Sequence, residues 1–193
     1  MMIVLVFISG NIFARDLFDF KLGLSGIYDA TSSKDFDTFL EGMGDGENWA
    51  PALNVGLRFL ILDVSLTALP DANCVDGMEL LSSLGLSLPV VTDFIYLGLG
   101  AGIGTGFTFP EDGEVTVNGR AASEANLTAD FLQRPIHLRF GLDFMFGPAI
   151  LGFTYIKETG TTLEGMQVQD GWAGLLEPGV KDRFGVSFQL ALL

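Results

Sequence analysis

Side chains able to do chemistry are few and scattered along this 193-residue chain. His137 is the only histidine and Cys74 the only cysteine, which rules out an internal disulfide and a cysteine-based zinc cage. A hydrolase would need His137 beside a nucleophilic serine and an acidic or amide partner. Ser83, Ser87 and Ser187 are available, but no spacing singles one of them out. The glycines of residues 98–104 (GLGAGIG) are spaced like those of a dinucleotide loop, which also needs a following helix and a later acidic partner. Neither follows, so these read as strand glycines. Residues 41–47 (EGMGDGE) offer oxygen ligands without the spacing of a calcium loop. Catalysis is therefore disfavoured, and no cofactor or metal is expected.

Six charges carry more information: Asp19, Lys21, Arg58, Asp63, Arg139 and Asp143. Each lies in an apolar stretch, on the side opposite the large apolar residues. Their meaning depends on the elements that hold them. From residue 16 onward the dominant pattern has period 2, the signature of strands whose two faces meet different surroundings. Eight such segments follow in order: 16–30, 49–61, 63–69, 80–90, 94–109, 131–146, 149–157 and 182–193. In the first, Phe18, Phe20, Leu22, Leu24 and Tyr28 oppose Asp19, Lys21, Gly23 and Ser25. In the fifth, Leu97, Leu99, Ala101 and Ile103 oppose Tyr96 and a row of glycines.

The connections alternate in length. Minimal turns fall near 60–63, 91–93 and 146–148, whereas 31–48, 70–79, 110–130 and 158–181 are long and polar, and hold most of the 24 acidic residues. A soluble meander has no reason to keep this rhythm; a membrane barrel does, with short turns at one rim and long surface loops at the other. Composition agrees. Hydrophobic residues make up 49% of the chain and the mean hydropathy is +0.44, yet the sequence holds no apolar run of the length a membrane helix needs. A closed barrel is the other structure that satisfies every backbone group in lipid. The expected fold is all-β, an eight-stranded antiparallel up-and-down transmembrane barrel over residues 15–193. The net charge of −14 excludes nucleic acid as a partner. Residues 1–14 (MMIVLVFISGNIFA) read as a short export signal with Ala14 before the cleavage point; the lack of a basic residue ahead of the apolar run fits a start inside a longer signal.

The face opposite the apolar residues is mostly Gly, Ser, Thr and Asn, too small and weakly charged to solvate an outer wall. It suits the narrow interior of eight strands, which side chains just fill. The large apolar face then meets lipid, with aromatic girdles at two heights. Phe18, Phe20, Phe59, Phe94, Phe144 and Phe146 mark the short-turn rim, and Tyr28, Trp49, Phe107, Phe109, Phe131, Tyr155 and Phe184 the loop rim. The six charges become luminal, with His137, Asn54 and Gln189 as luminal polar groups. Three cations facing three anions predict an ion-pair plug, since uncompensated charge there costs several kcal/mol. The upper lumen is expected to be largely Gly and Thr, with Ile27 and Ile156 as exceptions.

The run YLGLGAGIGTGF (residues 96–107) resembles the glycine-alternating strand of small bacterial outer-membrane barrels of the OmpW and OmpX class. The resemblance is one of pattern over most of the mature chain. OmpW-like proteins imply passage of small hydrophobic compounds across the outer membrane. OmpX-like ones imply a sealed barrel with an adhesive, surface-interaction or structural role through its loops. Either implies outer-membrane lipids and the barrel-assembly machinery as partners, with a small hydrophobic ligand or an external surface partner according to the reading. A membrane-embedded lipid enzyme is the third, weaker expectation. Proteins of this class usually end in an aromatic residue, whereas this chain ends in Leu193.

Overall fold

The computed structural model describes residues 18–31, 35–70, 76–111, 113–123, 126–167, 173–175 and 181–192. The expected export signal, Cys74 and Leu193 lie outside them. Eight long strands follow the alternating segments: β1 (Phe18–Asp29), β2 (Trp49–Phe59), β3 (Leu62–Pro70), β4 (Gly77–Val91), β5 (Ile95–Thr108), β8 (Pro135–Phe146), β9 (Ala149–Thr162) and β10 (Lys181–Ala191). Each pairs antiparallel with its neighbours in the order β4-β3-β2-β1-β10-β9-β8-β5, and β4 pairs with β5 to close the ring. Closure leaves no free edge among these eight strands, so their backbone groups are satisfied within the wall. The result is an eight-stranded antiparallel up-and-down barrel. Strands of 9 to 15 residues are long enough to cross a bilayer when tilted.

Three tight turns join β2 to β3, β4 to β5 and β8 to β9. Leu60, Asp93 and Gly147 in them have φ of 57°, 60° and 64°, the left-handed backbone that hairpin turns demand. At the opposite rim the expected loops carry structure of their own. Within 31–48 lies α1 (Phe36–Gly44), followed by a single 3-10 turn, Gly46–Asn48. Asp35 caps α1: its Oδ1 accepts the Thr38 backbone N–H at 2.8 Å, and the Thr38 hydroxyl accepts the Asp35 N–H at 3.2 Å. Within 110–130, β6 (Thr116–Val117) and β7 (Arg120–Ala121) form a hairpin that extends β5. Its turn is Asn118–Gly119, both with positive φ. The helix α2 (Leu127–Leu132) follows.

Several expected boundaries move. Phe131 lies in α2 and not at the start of a strand, because Asn126 caps a helical turn through the Ala129 N–H. β4 begins two residues before Glu79, and β9 runs on to Thr162, so Glu79 and Glu158 belong to the wall and not to loops. The register shifts between Pro135 and His137 where β8 meets β9. Proline has no N–H to give to a ladder, so a bulge beside it is the natural outcome.

The outward face is apolar along every long strand. Leu24 is 68% exposed and its direct cross-strand partner Phe188 58%. Leu53, Leu66, Leu84, Leu99, Phe140 and Leu151 continue this belt around the ring. Among the described residues no helix is long and apolar enough to cross a membrane.

Candidate functional site in the lumen

The inward face of β1 opens at the short-turn rim with Asp19 and Lys21. Asp19 stands directly across the ladder from Arg58 and pairs with it. The Arg58 guanidinium also lies over the Tyr96 ring, 4.7 Å from its centroid, a cation–π contact. Tyr96 packs with Met145 and Ile150, and Ala191 leans on the cluster. This rim of the lumen is thus filled by an ion pair and an apolar knot.

A second group links three strands, β1, β3 and β8. Lys21 Nζ donates to Asp63 Oδ2 at 3.2 Å and lies 3.5 Å from Asp143 Oδ2, while Arg139 Nη1 reaches Asp63 Oδ1 at 3.4 Å. Asp63 therefore serves two cations, and Lys21 two carboxylates. Glycine makes room for the network: a Cβ on Gly152 would sit 2.9 Å from Asp143 Oδ1. The six charges Asp19, Lys21, Arg58, Asp63, Arg139 and Asp143 meet as one pair and one four-membered network.

Neutral polar pairs come next. Thr67 Oγ1 donates to Asn54 Oδ1 at 2.8 Å, and Gln189 Nε2 donates to Ser187 Oγ at 3.0 Å. Between these groups and the network remains a cavity of about 20 Å³. A single water needs roughly 10–15 Å³ on that measure, so nothing much larger than water fits.

Ser83 Oγ lies 2.8 Å from His137 Nε2. That is the spacing of a nucleophile and its base, and the sequence offered no reason to choose Ser83. Both side chains are buried, His137 to 2% exposure. Gly102 closes over the pair, since a Cβ there would sit 2.8 Å from Nε2. The contact joins β4 to β8 across the inner side of the wall.

Nearer the loop rim the interior differs from expectation. Ile27, Ala52, Leu69, Leu81 and Ile156 pack into one buried apolar cluster, so the upper lumen is not mainly Gly and Thr. Leu81 has the inward parity of Ser83 and lies one residue inside the expected start of the fourth segment at 80. Above the cluster Arg183 holds Glu79 through two bonds, Nη1 to Oε1 at 3.2 Å and Nη2 to Oε2 at 2.6 Å. This bidentate bridge was missed because Glu79 was placed in a loop; Arg183 shares the inward parity of Gly185 and Ser187 and could have been found. Beyond it a vestibule of about 150 Å³ is lined by Glu79, Arg134, Glu158 and Lys181. Desolvation holds the Arg134 guanidinium below its ordinary pKa, opposed by the carboxylates of Asp130, Glu158 and Glu79.

Outside, most of the expected girdle aromatics keep an outward position. Phe18, Phe59 and Phe94 are exposed near the short-turn rim, Phe20 is half-buried there, and Phe94 meets Phe144 edge-on at 6.1 Å. At the loop rim Phe107 stacks with Phe109, and Tyr155 donates its hydroxyl to Asp182 at 2.8 Å. Tyr28 is the exception. It has the outward parity but is only 3% exposed, because α1 lies on the wall over it and Phe39 packs edge-on against its ring. Phe184 meets Phe39 from the other side, and Trp49 donates its indole N–H to the Met43 carbonyl at 3.0 Å. Helix and wall form one aromatic joint.

No protein-family model matches the sequence, and no curated protein does either. Solved structures with a similar chain path include three bacterial proteins. Neisserial surface protein A is 12% identical, with a TM-score of 0.46 over 91% of this chain and 96% of its own. The N-terminal β-barrel domain of Pseudomonas aeruginosa OprF is 12% identical, with a TM-score of 0.42 over 90% and 97%. The Yersinia pestis outer membrane protein Ail is 11% identical, with a TM-score of 0.46 over 90% and 99%. The reading of this chain rests on its own wall and lumen.

Proposed function

We propose that this protein is an integral barrel of a bacterial outer membrane, shut to bulk flow, which acts through the folded acidic surface at its loop rim. The filled lumen carries this reading. Solute passage would have to break the Asp19–Arg58 pair, the network around Asp63, the apolar cluster at Leu81 and the Glu79–Arg183 bridge in turn. Each group is closed within itself, so the lumen has no continuous path lined by waiting polar groups. The expectation of transport for small hydrophobic compounds finds no support there: Ile27, Ala52, Leu69, Leu81 and Ile156 pack against one another, and the cavity that Ile27 and Ile156 also line holds only about 20 Å³.

The membrane address is supported by the belt. Contiguous apolar surface beyond a few hundred Å² marks an interface, and here it runs around the whole ring. Soluble barrels place their charges outside and their apolar residues within; this chain pairs eight strand charges with one another in the lumen, five of them buried, and faces Leu and Phe outward. Short turns at one rim and structured loops at the other support an orientation with the loops outward. What meets the environment is then α1, the β6–β7 hairpin and α2, on a chain of net charge −14. An adhesive or structural role fits that display, and catalysis does not fit the sealed Ser83–His137 pair.

Planar-bilayer recording tests the reading. The wild-type protein should show no single-channel steps, and Asp63→Ala combined with Arg139→Ala, which leaves the other three closures in place, should show none either. Regular wild-type steps of a size expected for a water-filled pore would overturn the closed-barrel reading.

A further inference from the structure

One feature of the outer wall has no part in closing the lumen. Near the loop rim, β4, β5 and β8 form the floor of an apolar groove of about 710 Å³, within the size range of small-molecule sites. Its floor includes Leu84, Ile103 and Ile136, and its roof Phe131, Met166 and Leu175. Ile103 and Ile136 point out of the barrel, yet both are buried, because the roof hangs over them.

The roof is tied down. The Glu164 N–H donates to the Leu132 carbonyl at 3.0 Å, joining the last loop to α2. The Gly165 N–H donates to Thr162 Oγ1 at 3.0 Å, and Thr159 Oγ1 donates to the Ile136 carbonyl at 2.8 Å. The polar groups around the groove are thereby spent on one another. Ser82 also turns its hydroxyl to a backbone carbonyl, that of Ile103, at 3.2 Å. The lining is left with almost nothing to offer a polar ligand.

We propose that this groove holds one acyl chain of a membrane lipid. Three observations select that occupant over a peptide or a polar small molecule. Among the described residues the groove has no charged lining group to recognise a headgroup and little to satisfy a peptide backbone. Its lower margin is formed by Val64, Leu84 and Leu138, residues of the apolar belt, so it opens sideways onto the surface that lipid covers. It also lies beneath the loop segments, at the level where a chain of the outward-facing leaflet would begin its run along the wall. The roof would separate one chain from the bulk lipid and hold it against the strands.

This inference rests on the membrane reading, and the test separates the two. The full chain is folded into vesicles of dioleoylphosphatidylcholine, checked for flotation with them, and transferred to a mild detergent for native mass spectrometry. The wild type should retain one phosphatidylcholine per chain. Met166→Asp and Leu175→Asp bring a carboxylate to the roof without touching the belt; retention should fall at least about tenfold in both, whereas Met166→Leu should retain the lipid. The gel-mobility shift of the folded barrel on heating shows that each variant is folded. Flotation without lipid retention, or equal retention by the wild type and both Asp variants, overturns the inference alone. Failure of the wild type to float overturns the membrane reading and the inference with it.

Discussion

Along β1 the two faces of a single strand are built on opposite rules. Leu22 and Leu24 stand outward with no protein over much of their surface, while the intervening Lys21 is nearly inaccessible and bonded to carboxylates from two other strands. The same inversion holds across the ring, where Val64 is exposed beside buried Asp63, and Leu84 beside buried Ser83. In water such an arrangement would leave the hydrophobic effect unused and charge unsolvated. In a bilayer it becomes economical: the apolar face meets a solvent like itself, and the polar face is compensated within. The difference teaches that each face needs its own currency of stability, ionic inside and apolar outside.

The comparison can be broken from either side, and the inside should break harder. Asp63 answers both Lys21 and Arg139, so Asp63→Ala leaves two buried cations with Asp143 as the network's remaining carboxylate. The expected cost is about 3–5 kcal/mol, read as a fall in the urea midpoint of refolding into vesicles. On the outer face Leu24→Arg should cost about 2–4 kcal/mol in the same assay. A substitution of Leu24 by Arg that left the midpoint unchanged in vesicles would mean that this face meets water. Gly102→Leu sharpens the interior half, for it drives a side chain against His137 and the Ser82 carbonyl. Overpacking of this kind costs roughly 1–3 kcal/mol, and the Ser83–His137 bond should be lost first.

The smallest effect belongs to the loop rim, which follows neither rule. The Asp35 carboxyl is held below its ordinary value of 3.8, chiefly by the Thr38 backbone N–H it caps. A depressed folded value means that the cap is fully present above 3.8 and is lost as pH falls through the lower folded value. Acidification below that point, or Asp35→Ala at neutral pH, should lower the protection factor against hydrogen exchange of the Phe39 amide, which bonds to the Asp35 carbonyl. Amides in the middle of β1 should keep their protection in Asp35→Ala at neutral pH.

What the sequence revealed and what it hid divide along the same line. Period-2 alternation is a direct imprint of two surroundings on one strand, so the eight long strands, their parity and the six lower charges were legible. The loops have no such imprint, and there the local signals went unused. Asp35 and Thr38 flank a run with Phe36, Phe39, Leu40 and Met43 at helical spacing, and Asn118–Gly119 is a strong hairpin signal. Reading 31–48 as a polar loop then concealed the cover over Tyr28: parity gives a direction, but only packing decides what lies in that direction. The Glu79–Arg183 bridge was lost to a boundary, for a strand ended a few residues short removes its last inward side chain from view.

The central claim is that the Leu and Phe face of this barrel meets lipid. Its most direct test places a spin label at Leu24, Leu53 or Leu97, each replaced singly by cysteine in a Cys74→Ser background, with the protein in vesicles. Collisions with oxygen, which concentrates in the bilayer, should dominate those with a water-soluble nickel complex at all three positions. If nickel relaxes the labels as strongly as oxygen does, the wall stands in water and the account of both faces fails.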